Sequence, residues 1–273
     1  MVHIKSEREI DRLRASADLV GRALGEVARH IRPGVTTAEL DAIAEDYLRT
    51  HNGRPAFKGY RVGNLPPFPG TLCVSVNDVV VHGIPGPYVL QEGDLLSVDC
   101  GVELDGYYGD YAYTFAVGSI SEEKAALCRV TYEALLEGIA RAVHGHRVGD
   151  ISAAVQDYCE SRGYGVVRDL VGHGIGRKLH EDPQVPNFGR RGTGRKLKEG
   201  MTLCIEPMIN QRTPEVVTDP DGWTVRTADG LPSAHYEHMV VVRRGQPEVL
   251  STFAYIEEHI EAPYTAEAQV SHG

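Results

Sequence analysis

Val98–Phe115 reads VDCGVELDGYYGDYAYTF. Asp105-Gly106 stands between two apolar-leaning, alternating runs, a strong short-range signal for a β-hairpin. With a two-residue loop, Leu104 faces Tyr107 and, counting back, Gly101 faces Asp110. Side chains alternate along a strand, so Asp99 and Gly101 share a face. Asp99 and Asp110 then lie diagonally on that face, roughly 7–8 Å apart at the backbone. Gly101 puts no side chain between them. Two carboxylates that close raise one another's pKa. A shared proton or metal cations would resolve the conflict, and a solvated pair on a wet sheet face is the plain alternative.

Working outward, the chain reads as helix, helix, strands, then helix, helix, strands. Ser6 with Glu9 forms a capping box. Ile10, Leu13, Ala17, Val20, Leu24, Val27 and Ile31 follow at helical spacing, up to Pro33-Gly34. Thr36 with Glu39 repeats the box before Leu40, Ile43, Ala44, Tyr47 and Leu48. Residues 53–71 are rich in Gly and Pro and read as a long loop, a length that is often functional. Short strands follow at Leu72–Val76 and Val79–His82. Helices are expected from Ser121 to about Val143 and from Asp150 to Gly163. Strands are expected at Val166–Leu170, Thr202–Glu206, Trp223–Thr227 and Tyr236–Arg243, with loops over roughly 178–198. No Ser-, Pro- or charge-rich linker separates the halves. The reading is a single α+β domain over 1–251 with a quasi-duplicated plan. From 252 to 273 the sequence turns polar and aperiodic, and a loosely ordered tail is expected.

The 273 residues are 42% hydrophobic and 24% charged, enough to bury a sizeable core. The formal net charge of −10 argues against a general nucleic-acid or anionic-membrane surface. The basic run around Arg190-Arg191 and Arg195–Lys198 reads as a solvated loop. The polar start MVHIKSEREIDRLR has no signal-peptide core, and no run approaches a membrane span. The five cysteines are odd in number and lack a C-x-x-C pair, which fits reduced thiols. A cytoplasmic protein without direct nucleic-acid or membrane function is expected.

Five further residues join the hairpin. His173 sits between glycines in VGHGIGRKLHEDP, and His180 follows seven residues later. Glu206 closes the strand in CIEPM, and Glu237 stands at the mouth of HYEHMVVV. His82 ends an earlier strand. His238 should point to the opposite face from Glu237, outside the site. Asp99, Asp110, His173, Glu206 and Glu237 together make four carboxylates and one imidazole. Four negative charges in one partly buried cavity are very unfavourable without counter-charge. Two divalent cations would balance them, and oxygen ligands with one nitrogen suit Mn²⁺, Fe²⁺, Co²⁺ or Zn²⁺.

The ordered set VHGIP, VDCGVELDGYYGD, VGHGIGRKLHEDP, CIEPM and DGWTV…SAHYEH resembles the type I methionine aminopeptidases of the M24 metallopeptidases, in their short bacterial form. The similarity runs from about Glu7 to Leu250. It implies the pita-bread fold: pseudo-two-fold, with a curved antiparallel sheet and helices outside. It also implies a dinuclear centre held by Asp99, Asp110, His173, Glu206 and Glu237, with Asp110 and Glu237 bridging both ions. His82 and His180 become outer histidines that act on substrate. Cys73, Trp223, Phe68 and Tyr60 become walls of a methionine pocket. The implied activity is removal of the initiator methionine from nascent polypeptides when the second residue is small. The attacking group is a water activated by the two metals, and Glu206 takes its proton. A monomer with transient ribosome association is expected, and the chain's own Met1-Val2 start fits the substrate rule.

The sequence departs from the family in three places. Gly101 stands where the bacterial archetype has threonine. Leu179 precedes the second histidine where an aromatic is common. The loop before Phe68 is longer. Two rival readings stand beside this one: a proline-directed dipeptidase or aminopeptidase P of the same fold, which usually carries an extra N-terminal domain, and a non-catalytic binding module, which would lose ligands.

Overall fold

The Asp105-Gly106 turn is where the expectation from sequence is most directly met. Both residues have positive φ, 50° and 80°, the geometry that a two-residue turn between twisted strands requires. Leu95–Leu104 and Tyr107–Ala116 pair antiparallel, with Leu104 opposite Tyr107, Gly101 opposite Asp110 and Asp99 opposite Ala112. The hairpin register read from sequence is the register found. The computed structural model describes residues 2–265.

Helix α1 (Glu7–Ala28) lies across this hairpin. Its start is tied by Ser6 N–H donating to Glu9 Oε2 at 3.0 Å. Ile10, Leu13, Ala17, Val20, Leu24 and Val27 are fully buried, as their spacing predicts. Ser16 Oγ donates to the Tyr107 carbonyl at 3.1 Å and fixes the helix against the strand. Helix α2 (Thr37–Thr50) begins with the second capping box: Glu39 N–H donates to Thr36 Oγ1 and Thr36 N–H to Glu39 Oε2. Leu72–Val76 and Arg54–Pro55 flank the Leu95–Leu104 strand and complete the first sheet.

In the second half, α3 (Glu122–Ile139) and α4 (Val148–Glu160) pack on each other. Both stop a few residues short of the ends expected. The main sheet here orders Glu248–Val249, His238–Val241, Thr202–Ile205, Val171–Gly174 and Glu181–Pro186. The last lies inside a stretch read as loop. The strand expected at Val166–Leu170 is instead split into Gly165–Val166 and Val171–Gly174.

The halves meet where Tyr107–Ala116 approaches residues 235–239. Glu237 N–H donates to the Ala112 carbonyl at 3.0 Å. Thr114 Oγ1 donates to the His235 carbonyl at 2.7 Å, and Asp110 N–H points at Met239 Sδ at 3.2 Å.

The loose tail expected from 252 is not what residues 252–265 form. Phe253 is buried and stacks on His238 at 4.1 Å. Helix α5 (Ala254–Glu257) buries Ile256, and Tyr264 stacks on Tyr132 at 3.9 Å. Aromatic anchors placed singly in a polar stretch leave no periodic signal, so the sequence conceals this docking. Residues 266–273 lie outside the described residues. Among the described residues no helix is long and apolar enough to cross a membrane.

Candidate metal centre

Asp99 and Asp110 come from the hairpin and His173 from the Val171–Gly174 strand. Glu206 follows the Thr202–Ile205 strand, and Glu237 sits between Ser233–His235 and His238–Val241. All five face one cavity of about 180 Å³, which His82, His180, Cys73, Phe68, Tyr60 and Trp223 also line. Every site residue expected from sequence is therefore in one place.

The hydrogen bonds of His173 define what this cavity wants. Its Nδ1 is 2.9 Å from the Gly174 carbonyl oxygen, which can only accept, so Nδ1 carries the proton. Burial holds the imidazole pKa down to about 3, so the ring is neutral and Nε2 is a lone pair. That lone pair faces Glu206 Oε1 at 3.5 Å and Asp110 Oδ2 at 3.6 Å. An imidazole that gives its far N–H to a backbone carbonyl and turns its other nitrogen toward carboxylates is arranged as a metal ligand.

The oxygens make the same demand. Asp99 Oδ1, Asp110 Oδ1 and Glu237 Oε1 are buried without a hydrogen-bond partner. Burial raises the pKa of Asp99, Asp110, Glu206 and Glu237, and the mutual repulsion of their charges adds to it for Asp110, Glu206 and Glu237. Unsatisfied buried acceptors of this number are costly. Divalent cations would satisfy them together, so the donor set fits the group implied by the motifs.

His235 was not singled out in the sequence, yet it belongs here. Its Nε2 is buried without a hydrogen-bond partner, 3.8 Å from Glu206 Oε2, and burial holds its pKa down to about 3. The signal existed: His235 is two residues before Glu237, on the same face of an extended segment. Cys204 also went unread. Its thiol lies within 4.8 Å of ligand atoms on Asp110, His173 and Glu237. His238 behaves as its alternation predicts, turned away and bonded to Ser251 Oγ at 2.7 Å.

At the outer side, His82 takes a left-handed backbone, φ 58°, and its ring stands edge-on to Trp223 at 6.4 Å. Burial holds its pKa down to about 4. His180 is exposed at the mouth and edge-on to His173 at 4.4 Å. Phe57, Phe68, Cys73, Leu179 and Trp223 form one buried apolar cluster against which Tyr60 packs. The long loop is pinched at its base: Gly59 N–H donates to the Phe68 carbonyl and Phe68 N–H to that of Tyr60. Its returning limb is held where Trp223 Nε1–H donates to the Pro66 carbonyl at 2.9 Å. The extra residues therefore leave Tyr60 and Phe68 at the wall.

Residues 11–244 match metallopeptidase family M24. The chain is 51% identical over 251 residues to the methionine aminopeptidase of Clostridium perfringens, covering 92% of this chain and 99% of that one. The crystal structure of methionine aminopeptidase from Rickettsia prowazekii superposes with a TM-score of 0.89 at 39% identity, over 92% of this chain and all (100%) of that one. That from Thermotoga maritima gives 0.88 at 43% identity, over 92% and 100%.

Proposed function

We infer the chemistry of this site from the premise that the chain belongs to metallopeptidase family M24 and, within it, to the methionine aminopeptidases of pita-bread fold. It is an enzyme that removes the N-terminal methionine of polypeptides by hydrolysis. Its substrates are the N-termini of nascent proteins.

Asp99, Asp110, His173, Glu206 and Glu237 would hold two divalent ions; Co²⁺, Mn²⁺, Fe²⁺ and Zn²⁺ all suit these donors. The ions supply Lewis-acid activation of water and of the scissile carbonyl. The orphaned carboxylate oxygens and the neutral His173 lone pair support this assignment most strongly.

The chain's own groups do the rest. Glu206, at the edge of the charge cluster, accepts the proton of the attacking water and passes it to the leaving amine. His180 at the mouth donates a hydrogen bond to the oxyanion that forms at the carbonyl. His82 hydrogen-bonds the peptide nitrogen of the second residue and orients it. The cluster of Phe57, Phe68, Cys73 and Trp223, with Tyr60, receives the unbranched methionine side chain, whose sulfur packs well against aromatic edges. A small second residue is selected by steric exclusion. Cytoplasmic action as a monomer, with transient ribosome contact, completes the reading; the five free thiols fit a reducing compartment.

The test is hydrolysis of Met-Ala-Ser by metal-stripped protein titrated with Mn²⁺, Co²⁺ or Fe²⁺, beside an Asp110→Asn variant. Metal-dependent release of methionine that falls by more than ~100-fold in the variant supports the reading, since even partners of ligands cost 10–100-fold. Absence of release with every metal, from folded protein, refutes it.

A further inference from the structure

The hydroxyl of Tyr60 lies 2.5 Å from Nδ1 of His180, and the two rings meet edge-on at 5.2 Å. We propose that Tyr60 is a positioning residue: its hydroxyl donates to His180 Nδ1 and so holds the imidazole in the tautomer that carries its proton on Nε2. This deepens the role given above to His180 and rests on that reading.

The direction of the bond follows from the groups. A phenol O–H is a strong neutral donor, whereas the lone pair of an imidazole nitrogen is a better acceptor than a phenol oxygen. Among the described residues the Tyr60 hydroxyl has no other hydrogen-bond partner. A neutral imidazole has one proton. Once Nδ1 accepts, Nε2 must be the donor, and only a donor can stabilise an oxyanion. With Nδ1 protonated instead, Nε2 would offer a lone pair to that charge.

The backbone around Tyr60 is set for such a task. Its N–H donates to the Phe57 carbonyl at 2.8 Å, and its own carbonyl accepts from Phe68 at 2.9 Å. Trp223 Nε1–H secures the loop beyond, at Pro66. The partner of His180 is thus held from both sides before any substrate arrives, which spares reorganisation during reaction. An apolar wall needs only the ring. The hydroxyl is what phenylalanine would lack, so Tyr60→Phe separates the two roles.

The experiment has two arms. In the first, the full chain carries ¹⁵N-histidine, and long-range ¹H–¹⁵N spectra are recorded metal-stripped and again with Zn²⁺. His180→Gln assigns the His180 signals. Wild type should show a pyrrole-type Nε2 and a pyridine-type Nδ1, and Tyr60→Phe should average the two. In the second arm, Mn²⁺-loaded Tyr60→Phe should lose roughly tenfold in kcat on Met-Ala-Ser, the scale of one directed hydrogen bond, with KM within about twofold. A single unchanged Nε2–H tautomer in Tyr60→Phe overturns the proposal, as does a raised KM with kcat unchanged. Wild-type protein that releases no methionine defeats the aminopeptidase reading instead, while the spectra still decide the hydrogen bond.

Discussion

The ring of Phe57 occupies the space that a side chain at Gly101 would need. A Cβ on Gly101 would stand 2.6 Å from Phe57 Cε1 and 3.1 Å from the Ala56 Cβ. Gly101 is opposite Asp110, so the aromatic edge closes the gap in the hairpin beside the candidate metal ligands. With the Phe57 ring where it stands, a threonine at 101 would have no room in this chain. Gly101→Ala should cost about 1–3 kcal/mol by overpacking. Adding Phe57→Leu should return part of that loss. Denaturant unfolding of both single variants and the double variant checks this; simple additivity would show that the contact does not govern the site.

Metal-free protein should lose stability as pH rises from 7 to 9. Asp110, Glu206 and Glu237 have raised pKa values in the fold, so they keep protons that the unfolded chain gives up near pH 4. Their contribution is full below that value and is lost as pH climbs through the folded pKa. The histidines work in the opposite direction: with pKa lowered to about 4 for His82 and about 3 for His173 and His235, their contribution is full above about 6.5 and fades in acid. Above pH 7 the carboxyl groups still change, and the five buried thiols, whose pKa values burial also raises, add to the loss in the same direction as the unfolded chain's thiols ionise. Saturating Mn²⁺ should raise Tm and flatten this slope, because bound cations take the place of the protons. Thermal melts across the range, with and without metal, provide the comparison, and a metal-free Tm that rises with pH would contradict it.

Lys5 and Glu181 form an ion pair at 2.5 Å with side chains only 5% and 10% exposed. Glu181 also accepts from the N–H groups of Arg177 and Lys178, so it ties the chain's start to the turn before His180. Lys5→Met leaves a buried carboxylate without its counter-charge. A loss of about 3 kcal/mol is expected, and Lys5→Met with Glu181→Gln should recover much of it. Urea unfolding of the pair of variants measures the difference.

Truncation after Ser251 should destabilise the fold by at least ~3 kcal/mol, because it removes the buried Phe253 and Ile256. Tyr264→Ala alone, which loses the stack on Tyr132 and the edge contact with Tyr236, should cost about 1–2 kcal/mol. Protein lacking residues 252–273 that melts with the full chain would show that this packing adds nothing.

Local signals carried the hairpin, the two capping boxes and the stripe of α1, because turn chemistry and period dictate each within a few residues. The candidate ligands Asp99 and Asp110 are legible for the same reason: register alone places them. His173, Glu206 and Glu237 are separated by tens of residues; residue type and strand-end position suggest them as a set, and the family motifs give that set its specificity. His235 escaped because a histidine beside a stronger carboxylate drew no separate attention, although its alternation with Glu237 was visible. The Tyr60–His180 bond spans 120 residues and leaves no trace in either neighbourhood. The docking of Phe253 and Tyr264 was hidden because isolated aromatics in a polar stretch have no period.

The candidate ligands are divided across the seam of the fold. Asp99 and Asp110 come before α3, whereas His173, Glu206 and Glu237 come after α4. Neither half can assemble the set alone. The cations would therefore serve as a clasp as well as a reagent, drawing carboxylates of one half of the molecule to those of the other. Two peptides divided near Ser119, expressed separately, should reassemble more tightly when a divalent ion is present, and a chelator should part them.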